Sequence, residues 1–249
     1  MSHAPSVCIL QYDDRFGTAD GERALGWQQV LADRTRAACE NDERCTYVRR
    51  DATDDDLSPS AQRPVYWRKV QHVRDLVGSD QHDCDYVMWM DADAAMATTP
   101  SELVRVAADW APPSADFIGA GDNEAMAWHA RFNAGVFLVR RNKGGQDIVN
   151  RWDDEWHSVK DSWREDENGK WHTDATWAGD KYEQGAFRTK LLDEPNVAMV
   201  DWCAFQRNDA PGEAKACEAV PHLTSHFAVE TKDRIPEFLE RQDARKWVR

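Results

Sequence analysis

No stretch of the chain approaches the roughly 20 consecutive apolar residues of a membrane-spanning helix, and residues 1–5 do not begin a signal peptide. A soluble protein without a membrane span, placed in the cytoplasm, is the expectation. Positive charge is also short: 31 Lys and Arg stand against 45 Asp and Glu, a formal net charge of −14 over 249 residues. Such a surface repels nucleic acid and anionic lipid, so an anionic ligand must be held by a local cationic feature, for which a metal ion is the obvious candidate. The six cysteines form no Cys-x-x-Cys pair and no zinc-ligand spacing. Cys8 and Cys84 fall in or beside apolar runs and read as buried thiols, whereas Cys203 and Cys217 flank a loop across which a disulfide can form. No internal repeat, low-complexity tract or clear domain boundary interrupts the chain, and its length suits one large domain or two small ones.

What the chain does have is a sequence of short apolar runs separated by amphipathic stretches. Residues 7–11, 46–48, 86–90, 116–121, 132–139, 197–200 and 223–227 read as strands. Residues 24–40 and 65–77 read as helices with one inward face, 148–159 and 182–192 as further helices, and 232–248 as a charged terminal helix. Thr99, Pro100 and Glu102 spell a helix start, with a capping threonine, proline at the first position and a glutamate closing the box. Strand, helix, strand at the amino end is the opening of a parallel α/β sheet. Residues 12–21 and 51–60 read as loops, and residues 161–181 as a long irregular segment with Asn168-Gly169 at a turn.

The chemistry gathers after Tyr86-Val87-Met88-Trp89-Met90, an apolar run that runs into Asp91 and Asp93. Such a run reads as a strand buried on both faces. Ligands of open α/β sheets lie outside the carboxyl ends of strands. In an extended chain, residues two apart project to one side, so the two carboxylates can converge on one point. Two hard oxygen ligands with nothing basic beside them in sequence suggest a divalent cation; a solvated turn is the plain alternative. Gly135 inside the strand at 132–139 marks a close approach by ligand or backbone. Twelve tryptophans is a high count. Tryptophan stacks on sugar rings, though most of them are expected in the core.

Three blocks, in order, carry a resemblance. Tyr66-Trp67-Arg68-Lys69 precedes Trp89-Met90-Asp91-Ala92-Asp93-Ala94. Asn123-Glu124 is followed by Phe132-Asn133-Ala134-Gly135-Val136-Phe137. Glu183-Gln184-Gly185-Ala186 lies ahead of Leu223-Thr224-Ser225-His226-Phe227. Over roughly residues 60–230 the pattern resembles the galactosyl/xylosyl-transferase family, which includes the plant xyloglucan xylosyltransferases and the yeast mannan-elongating enzymes. The resemblance implies the GT-A fold: an α/β domain with a Rossmann-like, mostly parallel central sheet and helices on both faces. One domain over residues 1–249 would comprise a nucleotide-sugar-binding half at 1–121 and an acceptor-binding and catalytic half at 122–249. It implies a retaining hexosyl- or pentosyltransferase that uses a nucleotide-sugar donor, with UDP favoured, Mn²⁺ or Mg²⁺, and a glycan or glycoprotein acceptor. It also adds the Golgi lumen as a location if an anchor has been trimmed.

By the same resemblance Asp93 ligates the metal, Asp91 contacts it or the donor ribose, and His226 is the third protein ligand. Such an oxygen and imidazole set suits Mn²⁺ better than Ca²⁺. Lys69 would face donor phosphate or sugar, an exposed helix lysine being the alternative. Lys232 lies six residues after His226, where the family's phosphate-binding lysine lies five after. Gln11 and Tyr12 would hold the nucleoside at the end of the first strand, and Asn133 to Gly135 would floor the sugar site. The family's Asp-Asp-Gln reads Tyr182-Glu183-Gln184 here, so that Glu183 and Gln184 would lie beside the anomeric carbon, to stabilise an oxocarbenium-like transition state or bind the acceptor. Asp122 and Asn123 are acceptor contacts or a solvated loop. Two other readings stand beside this one: a non-catalytic carbohydrate- or nucleotide-sugar-binding module on the same fold, and a dehalogenase-type phosphatase. The phosphatase is the weaker, because its Asp-x-Asp normally lies near the amino terminus.

Overall fold

The computed structural model describes residues 5–13, 26–51, 63–121, 131–167, 170–208, 223–226, 235 and 240, with the backbone alone at 207–208 and 225–226. Asp122, Asn123, Cys217, Lys232, nearly all of the helix expected at 232–248 and most of the expected loops at 12–21 and 51–60 lie outside the described residues.

The central sheet is built from β1 (Val7–Tyr12), β2 (Cys45–Arg50), β3 (Tyr86–Met90), β5 (Phe117–Ala120), β6 (Asn133–Arg140) and β9 (Val197–Val200), in the order β2-β1-β3-β6-β5-β9. β1 runs parallel to β2 and β3, and β5 parallel to β9. β6 alone is reversed, antiparallel to both neighbours. Its first residue, Asn133, therefore lies at the same edge of the sheet as the last residue of β3. A smaller sheet joins β4 (Ala94–Met96), β10 (Gln206–Asn208) and β11 (Thr224–His226) in the order β10-β11-β4.

Alternation sorts the strands onto two cores. Cys8, Leu10, Val87, Trp89 and Phe137 face α2 (Val65–Val77), α4 (Lys143–Val159) and α5 (Glu183–Lys190), meeting Trp67, Val73, Ile148, Trp152 and Phe187. Val7, Ile9, Met88, Val136 and Leu138 face α3 (Pro100–Trp110), meeting Leu103, Val104 and Ala107. The remaining helices are α1 (Trp27–Glu40) and the single turn α6 (Trp202–Phe205). Every residue of β3 is buried, as its unbroken apolar run requires. The expected Rossmann-like, mostly parallel sheet with helices on both faces is what the chain forms. No helix among the described residues is long and apolar enough to cross a membrane.

Several local expectations are corrected. α4 starts at Lys143, five residues before the apolar period begins, because the Asn142 side chain caps it by accepting from the Gly145 amide at 2.8 Å. Gly145 is required there, since a Cβ would overlap the carbonyl of Arg140. The segment at 161–181 is not wholly irregular: β7 (Trp163–Glu165) and β8 (Trp171–Thr173) pair as a hairpin. Cys8 and Cys84 are not free thiols but a disulfide that ties β1 to the segment entering β3, and Cys39 is bonded to Cys45. Cys203 is also disulfide-bonded.

Candidate active site

The strand carrying the acidic pair ends at Met90, and the chain turns at once. The Asp91 amide extends the β3–β6 ladder by donating to the carbonyl of Gly135 at 2.8 Å, and Ala94 donates to the carbonyl of Asp91 at 3.0 Å. Asp91 and Asp93 thus flank a turn that passes the chain from the large sheet to the small one. The two residues lie in a turn and not in the extended chain from which their convergence was expected, and they sit at the carboxyl edge of β3.

One oxygen of Asp91 is committed. Its Oδ1 accepts from the Trp89 indole at 2.7 Å and meets Lys69 Nζ at 2.9 Å. Lys69 is carried on the inward face of α2, and its side chain is only 9% exposed. Its ammonium has three donors, and three acceptors surround it: Asp91, the carbonyl of Ala134 at 3.0 Å, and Glu183 Oε1 at 3.5 Å. The charge also lies 5.3 Å from the centre of the Trp89 ring. Burial opposes that charge, but Asp91 and then Glu183 outweigh it and raise the lysine's pKa. Lys69 is therefore no exposed helix lysine but an internal counter-ion holding two carboxylates.

Glu183 opens α5, with its side chain 4% exposed. Burial pushes its carboxyl pKa up, Lys69 pulls it down, and Asp91 pushes it up again, leaving it raised. Beside it, Gln184 Oε1 accepts from the Ala134 amide at 3.1 Å, and Asn133 Oδ1 accepts from the Gly135 amide at 2.7 Å. The first residues of β6 are thereby bonded to Asp91, Lys69 and Gln184 together.

Gln11 and Tyr12 turn inward rather than towards open solvent. Gln11 is fully buried; its Nε2 donates to the carbonyl of Asp91 at 3.3 Å and its Oε1 accepts from the Tyr47 hydroxyl at 3.0 Å. Burial pushes the Tyr47 hydroxyl up to about 12. Tyr12, on the opposite face of β1, accepts from Arg68 at 2.8 Å and packs its ring 4.6 Å from that of His72.

Among the described residues no three His, Cys, Asp or Glu side chains are grouped to hold a metal ion. The backbone of β11 nevertheless places His226 as the Cα partner of Ala94, the residue that follows Asp93. The carboxylates at 91 and 93 are hard oxygen donors, and a histidine position in register beside them is compatible with a divalent-ion site.

The positioning role of tryptophan is what the sequence did not reveal. The carbonyl of Lys181 accepts from two indoles, Trp163 at 3.0 Å and Trp67 at 3.1 Å, and the carbonyl of Glu183 accepts from Trp152 at 2.8 Å. Three tryptophans from three elements thus clamp the backbone on both sides of Tyr182. The only sequence signal was the high tryptophan count, and no spacing says which carbonyl each indole seeks.

An acidic turn thus lies at the carboxyl edge of this mixed sheet, with a buried lysine and glutamate behind it. The sequence model of the nucleotide-diphospho-sugar transferases matches residues 34–233, and the chain belongs to that family. No curated protein matches it. Among solved structures it is similar to a glycosyltransferase involved in the glycosylation of the major capsid of PBCV-1, at 13% identity over 95% of this chain and 100% of that one, with a TM-score of 0.60. It is similar to the glycosyltransferase GlyE of Streptococcus pneumoniae at 13% identity, over 96% of this chain and 60% of that one, with a TM-score of 0.52. The galactosyltransferase LgtC, solved with donor and acceptor sugar analogues, matches at 13% identity over 94% of each chain, with a TM-score of 0.50. At these identities the likeness is one of fold.

Proposed function

We propose that the protein is a metal-dependent, retaining glycosyltransferase that moves a hexose or pentose from a nucleotide-diphosphate sugar, UDP-linked in the first instance, to a glycan or glycoprotein. The observation that carries this reading is the convergence of Lys69, Asp91 and Glu183, from three distant segments, on one point at the sheet edge. Asp93 and His226 would hold Mn²⁺ or Mg²⁺. Asp91, oriented by Lys69, would contact the metal or the donor ribose. The bound metal would supply charge neutralisation for the nucleoside diphosphate as it leaves.

The chain's own groups have separate tasks. Lys69 fixes the orientation of Asp91 and Glu183, since its donors are already engaged. Glu183 and Gln184 present a carboxyl and an amide from the start of α5, next to the floor formed by Asn133 and Gly135. Lys232 remains the candidate phosphate contact, and Gln11 supports the Asp91 backbone from below the nucleoside edge. The division into a donor half at 1–121 and an acceptor half at 122–249 fits this placement, because Lys69 and Asp91 come from the first and Glu183 from the second. The order of sequence blocks supports a position near the galactosyl/xylosyl-transferases. Disulfides at Cys8–Cys84 and Cys39–Cys45 support an oxidising lumen such as the Golgi over a reducing cytoplasm.

Thermal unfolding with Mn²⁺ and UDP, GDP or CDP tests the donor site. A ligand that binds only the folded state stabilises it by about 2.7 kcal/mol at one hundred times its dissociation constant. One nucleoside diphosphate should raise the midpoint, and chelator or Asp93→Ala should remove the rise. No shift with any of them would overturn the reading. A second reading, a non-catalytic nucleotide-sugar-binding module, is favoured by one observation: Lys69 is paired with both Asp91 and Glu183. Slow hydrolysis of the donor sugar by the purified protein would rule that module out.

A further inference from the structure

The most exposed large apolar side chain among the described residues is Trp177, at 59%. It lies on no helix or strand, and it is not loose. Its indole N–H bonds to the Tyr66 hydroxyl. The following residue, Ala178, is 3% exposed and holds a φ of 55°, a left-handed conformation that a residue with a Cβ adopts only when its surroundings impose it. Those surroundings are visible. The Gly179 amide donates to the carbonyl of Thr176 at 2.9 Å, and the Tyr182 amide donates to the carbonyl of Gly179 at 2.8 Å. Gly185 packs against this loop so closely that a Cβ there would overlap the carbonyl of Gly179. The chain thus keeps a strained residue and a close backbone contact, and the result is an indole ring standing in solvent.

The ring stands beside the reactive centre. Tyr66 and Tyr182 are half-buried, with ring centres 5.1 Å apart, and Tyr182 lies edge-on to Trp163 at 5.0 Å. The Tyr66 hydroxyl is close enough to the cluster that, after burial, the charge on Glu183 is the next cause of its raised pKa. The residues just before Trp177, from Thr173 to Ala175, line a cavity of about 320 Å³ together with Asp161, Arg164 and Lys181. An aromatic face, and a cavity two residues away in the chain that offers charged and hydroxyl groups among its lining, suit the two sides of a sugar, whose axial C–H groups seek the first and whose hydroxyls seek the second.

We propose that Trp177, braced by Tyr66 and set beside Tyr182, is the platform on which a pyranose ring of the acceptor glycan stacks, with the next sugar unit in the neighbouring polar cavity. This rests on the transferase reading for its role but not for its test. Saturation-transfer NMR would use methyl β-glucopyranoside, methyl β-galactopyranoside, cellobiose and lactose as probes. The wild type should saturate the ring C–H protons of at least one of these, more strongly for the two-unit sugar of that pair. Trp177→Ala should weaken that binding at least tenfold, and Trp177→Phe should keep most of it, since a phenyl face still stacks. Both changes remove the bond to Tyr66, so the unfolding midpoint should fall slightly and by a similar amount in the two variants, while sugar binding separates them. Equal saturation in Trp177→Ala and wild type, or none in the wild type, would overturn the platform. A methyl glycoside binding as well as its disaccharide would overturn the second subsite. The nucleotide-dependent thermal shift, read on the same samples, reports on the donor site alone, so its failure is separable from failure of the platform.

Discussion

Lys69 is a buried cation whose charge is kept by two carboxylates, and that arrangement can be titrated. The folded pKa of Lys69 is raised above its ordinary 10.5, so its contribution to stability is present below pH 10.5 and lost as pH rises through the folded value. Glu183 is raised above its ordinary 4.5, so the native state binds its proton more tightly than the unfolded chain does. That contribution is present below pH 4.5 and lost as pH climbs through the raised value. Urea midpoints should therefore fall in wild type relative to Glu183→Gln as pH climbs from 4.5, and only in wild type relative to Lys69→Met above pH 10.5. At pH 7, Lys69→Met strands buried acid and should cost about 3–5 kcal/mol, as removal of one partner of a buried pair does. A Lys69 that merely reached for phosphate would give a donor-binding defect with unchanged stability. The place of Asp91 and Asp93 at the end of a buried strand was legible at this scale, since an apolar run leading into two acids is a local pattern. The burial of Lys69 was not, because its acceptors lie 22, 65 and 114 residues away in sequence, distances set by Asp91, Ala134 and Glu183.

At the scale of elements, α5 is held by what precedes it as much as by its own face. Glu183 must enter the helix at one angle to meet Lys69, and the indoles of Trp67, Trp152 and Trp163 set that angle through two carbonyls. Trp152→Phe keeps a ring in the core but removes the donor to the carbonyl of Glu183. Leaving a buried acceptor unmade costs about 1–3 kcal/mol. The variant should fold with a lowered midpoint, keep its nucleotide-dependent thermal shift, and lose donor turnover as Glu183 drifts from Lys69. A variant with full turnover would show that the clamp only packs. The sequence disclosed α2 to the residue because its apolar period is clean from Val65 to Val77. It hid the start of α4 behind two glycines that carry no periodicity, and it hid the reversed direction of β6. Pairing direction is decided by neighbours, and the apolar run of β6 reads the same either way.

Across the whole molecule, the disulfide Cys8–Cys84 fastens the first strand of the sheet to the chain entering the strand that bears the acidic turn, across 76 residues. A cross-link over so long a loop restricts the unfolded chain most, and the loop-entropy account gives a stabilisation of about 4 kcal/mol, against about 2 kcal/mol for a loop as short as that between Cys39 and Cys45. Cys8→Ala with Cys84→Ala should accordingly lower the urea midpoint more than Cys39→Ala with Cys45→Ala. The first pair anchors β1 and β3, whose edges carry Gln11 and Asp91, so its loss should also weaken the nucleotide-dependent thermal shift. The second pair joins the end of α1 to the start of β2, at the same amino edge of the sheet as Cys8 and Cys84 but on a strand that carries neither Gln11 nor Asp91, and its loss should leave that shift intact. Equal effects of the two pairs on the shift would mean that the site is held by its own cluster of Lys69, Asp91 and Glu183 rather than by the covalent frame around it.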